Sequence, residues 1–406
     1  MELGVVMKYQ NRYKLAIISS SNFINVPFGG MTNFVKDITP VLANYFDIHI
    51  FGIGKYPGIK GTWSLLNLKG KDIPFFCFSN LKEKKIIPNV YTVIYDLYKY
   101  KSELIKNNYD ALYFHGLPLA LPFLYGKNKF KIINHIHGFG NPLKYVKSKF
   151  YNNIIIIKLY SFYRDYVIRK SDLIFIAADI FLFDKIINNY KLDNIIRVDN
   201  FADSNIFKKY NKADIKQKLK LDRYNNIIVF VGRLVAEKGL DLLVDAFHLY
   251  NQQMSGSLLI IIGEGNYKYN LESKINNYEL KDNIWLLGYK ESNEIVWYLN
   301  SADLFAFPSE GEGLPVSLIE ALCCGLPIVS TDVVGTRDMV INDVTGYRVK
   351  ERDPLKFCEA ITKALRKKEE LSKNALELSK RYNPEKIGAD IANYILKLLT
   401  EHKKSY

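Results

Sequence analysis

The chain has 406 residues, 48% hydrophobic and 24% charged, which is globular usage with room for two or three domains of ~150 residues each. That composition excludes disordered, collagenous and disulfide-scaffold classes; the four cysteines (Cys77, Cys323, Cys324, Cys358) lack zinc-ligand spacing and suit a reducing compartment. The net charge of +14 is one-sided: residues 1–200 hold 27 Lys and Arg against 14 Asp and Glu, whereas residues 201–406 hold 29 against 28.

Taken in chain order, residues 14–19 form the first short apolar run, followed after a loop by Gly29-Gly30. Further runs at 111–114, 131–135 and 173–177 read as buried parallel strands. The uncharged stretch 111–126 carries His115, Gly116, Pro118 and Pro122, and its 16 residues fall short of the ~20 a membrane-spanning helix needs. Glu2 and the broken N-terminal pattern argue against a secretory leader, so a cytoplasmic location is expected. A polar segment at 200–212 marks a domain boundary. A second first-strand signal, 226–232, ends directly on glycine, and Leu240, Leu243, Val244 and Phe247 then follow helical spacing. Strands at 258–262, 284–287, 304–307 and 327–331 complete the second half, and Ile387, Ile391, Tyr394, Ile395 and Leu398 mark a final amphipathic helix behind Pro384. Strands alternating with helices predict an α/β fold of two doubly wound parallel-sheet, Rossmann-like domains. The predicted divisions are 1–203, 204–380 and a C-terminal helix, 381–406, returning to the first domain.

The stretch from Ser309 to Pro327 carries the most chemistry. It follows the 304–307 strand, at the carboxyl end where open α/β sheets bind ligands. Pro315 suits a helix start and Gly325 its end, so a helix is predicted over about 315–324. Its amino end, with free amides from Gly313 through Leu314 and Val316, is suited to an anion. Glu312 precedes that end and Glu320 lies within the helix. On spacing alone, Glu312 either complements the helix dipole or accepts hydrogen bonds from ligand hydroxyls, and Glu320 is either a solvated helix residue or a second such acceptor. Similarly, Arg233 and Lys238, in Gly232-Arg-Leu-Val-Ala-Glu-Lys-Gly239, are either solvated loop cations or the partners of a diphosphate. The chain has no Asp-x-Asp and no evident His/carboxylate cluster, so no metal and no cofactor are expected; fixed cations and helix dipoles would neutralise a diphosphate.

Gly232-Arg233, Glu237-Lys238-Gly239, Gly263-Glu264-Gly265, Gly288-Tyr289, Glu312-x7-Glu320 and the turn Thr331-Asp332-Val-Val-Gly335-Thr336 together resemble glycosyltransferase family four. The first half is similar through Gly29-Gly30, His137-Gly138 and Asn200-Phe-Ala-Asp203, where Phe201 replaces the family's usual glycine. The resemblance implies a retaining, nucleotide-sugar-dependent enzyme with the GT-B fold, its two domains facing across a cleft. It implies that Arg233 and Lys238 bind the donor diphosphate, Glu320 the ribose, and Glu312 the sugar, with amides after Gly313 on sugar and phosphate. Residues around Gly263 and Gly288-Tyr289 would form the nucleotide pocket, and Gly29-Gly30 would approach phosphate and acceptor. His137 would face the donor sugar, with His135 as the competing assignment.

In this fold the first domain binds the acceptor, and the charge excess lies there. Lys144, Lys147, Lys149, the run 154–157, Lys158, Tyr160, Phe162, Tyr163 and Arg164 mix basic and apolar groups, as an interfacial element or a core helix with a solvated basic face would. The expected partners are a nucleotide sugar, a glycan or lipid-linked acceptor, and an anionic membrane surface. A nucleic-acid partner is not expected, for no reading motif accompanies the sequence pI of 9.2. Another sugar-nucleotide GT-B enzyme, such as an epimerase, is the alternative.

Overall fold

Continuous apolar runs become central parallel strands in both halves of the chain. The computed structural model describes residues 12–22, 30–55, 60–81, 89–125, 129–138 and 154–403. The chain divides into two compact units, the first comprising Met1–Ala177, Tyr190–Val198 and Glu385–Tyr406, the second Ala178–Asn189 and Asp199–Pro384.

The first unit holds β1 (Lys14–Asn22), β2 (Asp47–Lys55), β3 (Thr62–Leu68), β4 (Lys71–Leu81), β5 (Ala111–His115), β6 (Lys131–Ile136), β7 (Leu173–Ile176) and β8 (Ile195–Arg197). They form one sheet in the order β3-β4-β2-β1-β5-β6-β7-β8. All neighbours are parallel except the β3–β4 hairpin. Its two-residue connection, Lys69-Gly70, has φ of 48° and 81°, the left-handed pair that matches strand twist in tight hairpins. The C-terminal helix Pro384–Lys403 buries Ile387, Ile391 and Ile395, with Leu399 rather than Leu398 completing the stripe and Tyr394 left half-exposed. Gly388 seats it on the helix Gly30–Leu42, since a Cβ there would run into Val41.

The second unit holds β9 (Asn226–Val231), β10 (Ser257–Ile262), β11 (Ile284–Leu286), β12 (Leu304–Phe307), β13 (Ile328–Thr331) and β14 (Gly346–Val349). The order β11-β10-β9-β12-β13-β14 is wholly parallel. In terms of succession it reads 3-2-1-4-5-6, the doubly wound arrangement whose direction reverses between the first and fourth strands, here β9 and β12. Helix Leu240–Gln253 covers one face, burying Leu240, Leu243, Val244 and Phe247. Each such side chain contributes roughly 1.5–3 kcal/mol of hydrophobic stabilisation.

The division departs from the predicted boundary at 203/204 because residues 178–189 pack with the second unit. Asp179, fully buried, accepts from the Gly335 amide at 2.8 Å and caps the helix Ile180–Tyr190 through the Leu182 amide at 2.9 Å.

Candidate functional site at the carboxyl edge of the second sheet

Three loops leave adjacent strands of the second unit and meet. After β9 the chain passes Gly232 and exposed Arg233, forms a 3₁₀ turn at Ala236–Lys238, and enters helix Leu240–Gln253. After β12 it runs from Pro308 to Pro315, then enters the helix Val316–Cys323, one residue shorter at each end than predicted, with Pro315 as N-cap and Cys324 as C-cap. Between these two loops the Glu310 amide donates to the Glu237 carbonyl at 2.8 Å. After β13 the turn through Gly335 (φ 91°) comes so close that a Cβ would overlap the Gly313 carbonyl oxygen. A side chain here would force the β13 loop away from the Glu312-Gly313 peptide.

Lys238 and Glu312, 74 residues apart in sequence, form an ion pair in this corner through Nζ and Oε1. Their side chains are only 16% and 14% exposed, so the pair is largely screened from water. Ser309 Oγ donates to the same Glu312 oxygen at 2.6 Å, and Lys238 Nζ lies 5.4 Å from the centre of the Phe307 ring. A largely buried ammonium that already opposes one carboxylate oxygen can exchange that partner for a phosphate oxygen. The displaced carboxylate is then free to accept from hydroxyls. Ser309 is a contributor that the sequence reading overlooks; its signal is its place two residues past β12, three before Glu312.

The neighbouring loops form a glycine shelf. Gly263 follows β10 at φ 144°, and a Cβ on it would collide with the Gly232 carbonyl oxygen. The Gly263 amide donates to the Gly288 carbonyl at 2.8 Å, and the Leu234 amide to that of Glu264 at 2.9 Å. Glycine at 263 lets the ends of β9 and β10 pack backbone to backbone, while Gly232 and Gly288 lie against the side chains of Phe230 and Glu264. Tyr289, 49% exposed, stands beyond Gly288. Leu314 is buried, and its carbonyl accepts from Asn200 Nδ2 at 2.6 Å, fixing the loop before the helix. Glu320 lies half-buried in that helix. Thus Lys238, Glu312, Gly313, Leu314 and Pro315 share one corner, Gly263 adjoins the β9 loop and Gly288 the β10 loop, whereas Arg233 and Tyr289 stand more exposed.

In the first unit Gly29 lies outside the described residues, and Gly30 opens the helix Gly30–Leu42. His137 does not stand alone. Parallel register sets His115 of β5 opposite His135 of β6, and His137, two residues on, falls on the same face. His115 Nδ1 and His137 Nε2 are 2.9 Å apart, and His135 Nδ1 is 2.6 Å from Tyr113 Oη. The rings of His135 and His137 stack at 4.3 Å, with Phe34 edge-on to both at 4.6 and 4.9 Å. Burial pushes the His137 pKa down to about 3, and burial followed by the neighbouring imidazoles holds His115 and His135 well below the ordinary range. His135 is buried, whereas His137 is partly exposed. The sequence reading sees no histidine cluster; the structure assembles one from positions 20 and 22 residues apart.

The strand order and the carboxyl-edge corner define a doubly wound α/β protein of the ligand-binding kind. Residues 211–381 match the family model of Glycosyl transferases group 1. The chain is 36% identical over 132 residues to amylovoran biosynthesis glycosyltransferase AmsK of Erwinia amylovora, spanning 31% of this chain and 32% of that protein. It is 31% identical over 160 residues to a UDP-Gal:alpha-D-GlcNAc-diphosphoundecaprenol alpha-1,3-galactosyltransferase of Escherichia coli, spanning 38% and 40%. In these matches the chain spans less than half the length of either relative. Among solved structures, sucrose-phosphate synthase from Thermosynechococcus elongatus superposes with a TM-score of 0.80 at 19% identity, covering 96% of this chain and 100% of that one. The likeness establishes the fold as that of the GT-B glycosyltransferases.

Proposed function

We propose that the protein is a glycosyltransferase that moves a hexosyl group, with retention of configuration, from a UDP-linked sugar to a hydroxyl of a glycan or lipid-linked glycan, in surface polysaccharide synthesis. The observation that carries this reading is the Lys238–Glu312 pair at the switch point of the second sheet, in the loops that precede the helix amino end at Val316. The family match over the same residues, and relatives named for polysaccharide synthesis and for galactosyl transfer from UDP-Gal, agree with it.

On this reading Lys238 and Arg233 take the diphosphate and Glu312 turns to the sugar. Glu320 accepts from the ribose, the amides from Gly313 to Val316 face sugar and phosphate, and Gly288 and Tyr289 border the base. From the first unit, His137 serves the donor sugar. The bond from the anomeric carbon to the diphosphate oxygen breaks and its electron pair leaves with the phosphate. The acceptor oxygen bonds to that carbon on the same face, and its proton passes to the departing phosphate. The growing charge is met by Lys238, Arg233 and the helix dipole, without a divalent ion.

No helix among the described residues is long and apolar enough to cross a membrane. Attachment to an anionic membrane surface is part of the proposal, supported by Leu159 and Phe162, 62% and 74% exposed beside Lys158 on helix Ile154–Lys170. Lys144, Lys147 and Lys149 of the same sequence signal lie outside the described residues.

A panel of nucleotide diphosphates and nucleotide sugars, read by thermal shift and by donor turnover, tests the activity. A raised Tm with UDP, and sugar released or transferred from a UDP-sugar, is the expected result. No shift with any nucleotide diphosphate together with no turnover overturns the reading.

A further inference from the structure

The histidine cluster of the first unit has unused ligand capacity. The ligand nitrogens that His115, His135 and His137 can offer lie within 4.8 Å of one another. The Nε2 atoms of His115 and His135 are buried and have no hydrogen-bond partner among the described residues. Their Nδ1 atoms are both engaged, with His137 Nε2 and Tyr113 Oη. When each Nδ1 donates, both buried Nε2 atoms carry free lone pairs; His135, held through Tyr113, then has the pattern of metal-bound histidines, whose other nitrogen is hydrogen-bonded, whereas His115 gives up its His137 partner when His137 ligates. Strand geometry supplies the third group, because a His-x-His pair on β6 shares a face with the histidine registered opposite on β5. The trio contains no carboxylate, and three imidazoles suit zinc-class ions rather than magnesium or calcium.

We propose that His115, His135 and His137 form a binding site for a zinc-class divalent transition-metal ion. The ion is a regulator and takes no part in transfer. As they stand, the His135 and His137 rings are parallel to within 8°, so their lone pairs lie in parallel planes and cannot meet at one point. His137 Nε2 either bonds His115 or ligates the ion. Metal entry therefore turns the partly exposed His137 out of the stack, and the hydrogen-bonded and metal-bound arrangements exclude each other. If His137 serves the donor sugar, as proposed above, the ion inhibits transfer; that consequence rests on the proposed function, whereas the site itself does not.

Untagged, metal-free protein titrated with Co²⁺ tests the site without any donor. The expected results are visible bands of a nitrogen-ligated low-coordinate ion and their loss on adding Zn²⁺ but not Mg²⁺. X-ray absorption of the zinc form should show histidine nitrogens at about 2.0–2.1 Å. His115→Asn and His137→Asn should each weaken Co²⁺ binding about tenfold or more, with circular dichroism checking that each variant is folded. The site is overturned if no Co²⁺ binds, if both folded variants bind as tightly as the parent, or if thiolate charge-transfer bands place the ion on cysteine. Should either variant not fold, the absorption spectrum of the unaltered protein decides: histidine ligation supports the site and its absence overturns it. Transfer assays with Zn²⁺ and then chelator decide inhibition separately. Metal bound on histidine with undiminished transfer keeps the site and removes the regulatory role.

Discussion

At the carboxyl edge of β9 and β12 the second unit sets a lysine against a glutamate. At the corresponding edge of β5 and β6 the first unit sets three imidazoles against one another. The two sheets share a winding, since β4-β2-β1-β5-β6-β7 repeats the order of β11-β10-β9-β12-β13-β14 with the reversal again beside the first strand. The same scaffold therefore presents fixed charge in one unit and uncharged, polarisable rings in the other. A charged corner suits a charged ligand, which can displace one ion for another. A neutral stack suits hydroxyl groups or a metal, and it remains neutral because burial disfavours the protonated ring.

Removing the charge from the second unit should have the largest effect. Lys238→Ala takes away a preorganised cation and is expected to lower transfer about 10²–10³-fold. Circular dichroism and Tm should report an intact fold, and steady-state turnover measures the loss. Closing the shelf comes next. Gly263→Ala places a methyl group against the Gly232 carbonyl at φ 144°, and should destabilise by more than about 1 kcal/mol, read by urea unfolding. Ser309→Ala removes one hydrogen bond to Glu312 and should cost about tenfold in turnover, since bonds to charged groups contribute ~1.5–3 kcal/mol.

The first unit gives the smallest effect and the opposite kind of sensitivity. His137, facing His115, His135 and Phe34, has a folded pKa of about 3 against roughly 6.5 when unfolded. The unfolded chain therefore binds more protons between those values. The stability from the neutral stack is complete above about pH 6.5 and is lost progressively as pH falls toward 3. In chelator, Tm should decline over that window, and His137→Gln should make the decline shallower. An unchanged slope would place the acid sensitivity elsewhere.

Much of the second unit was legible because its strands are unbroken apolar runs: 304–307 is β12 as read, and 258–262 differs from β10 by one residue. In the first unit β2, β3 and β4 escaped the reading. Asp47-Ile-His-Ile-Phe-Gly-Ile-Gly breaks its apolar run with histidine and glycine, and the β3–β4 turn uses Lys69, an uncommon residue at positive φ. The candidates from Glu312 to Glu320 stand out in the sequence through their glycines, proline and acids, whereas Ser309 does not. The pairing was not legible, because Lys238 and Glu312 meet only through the adjacency of β9 and β12. The histidine stack was illegible for the same reason: register, not spacing, sets His115 opposite His135.

The most direct test of the central claim is calorimetric titration of UDP into the parent protein and into Lys238→Ala. The account predicts saturable binding by the parent and a loss of at least about tenfold in the variant, the weight of one charge-assisted bond. Equal affinity in both, with the variant folded, would contradict it.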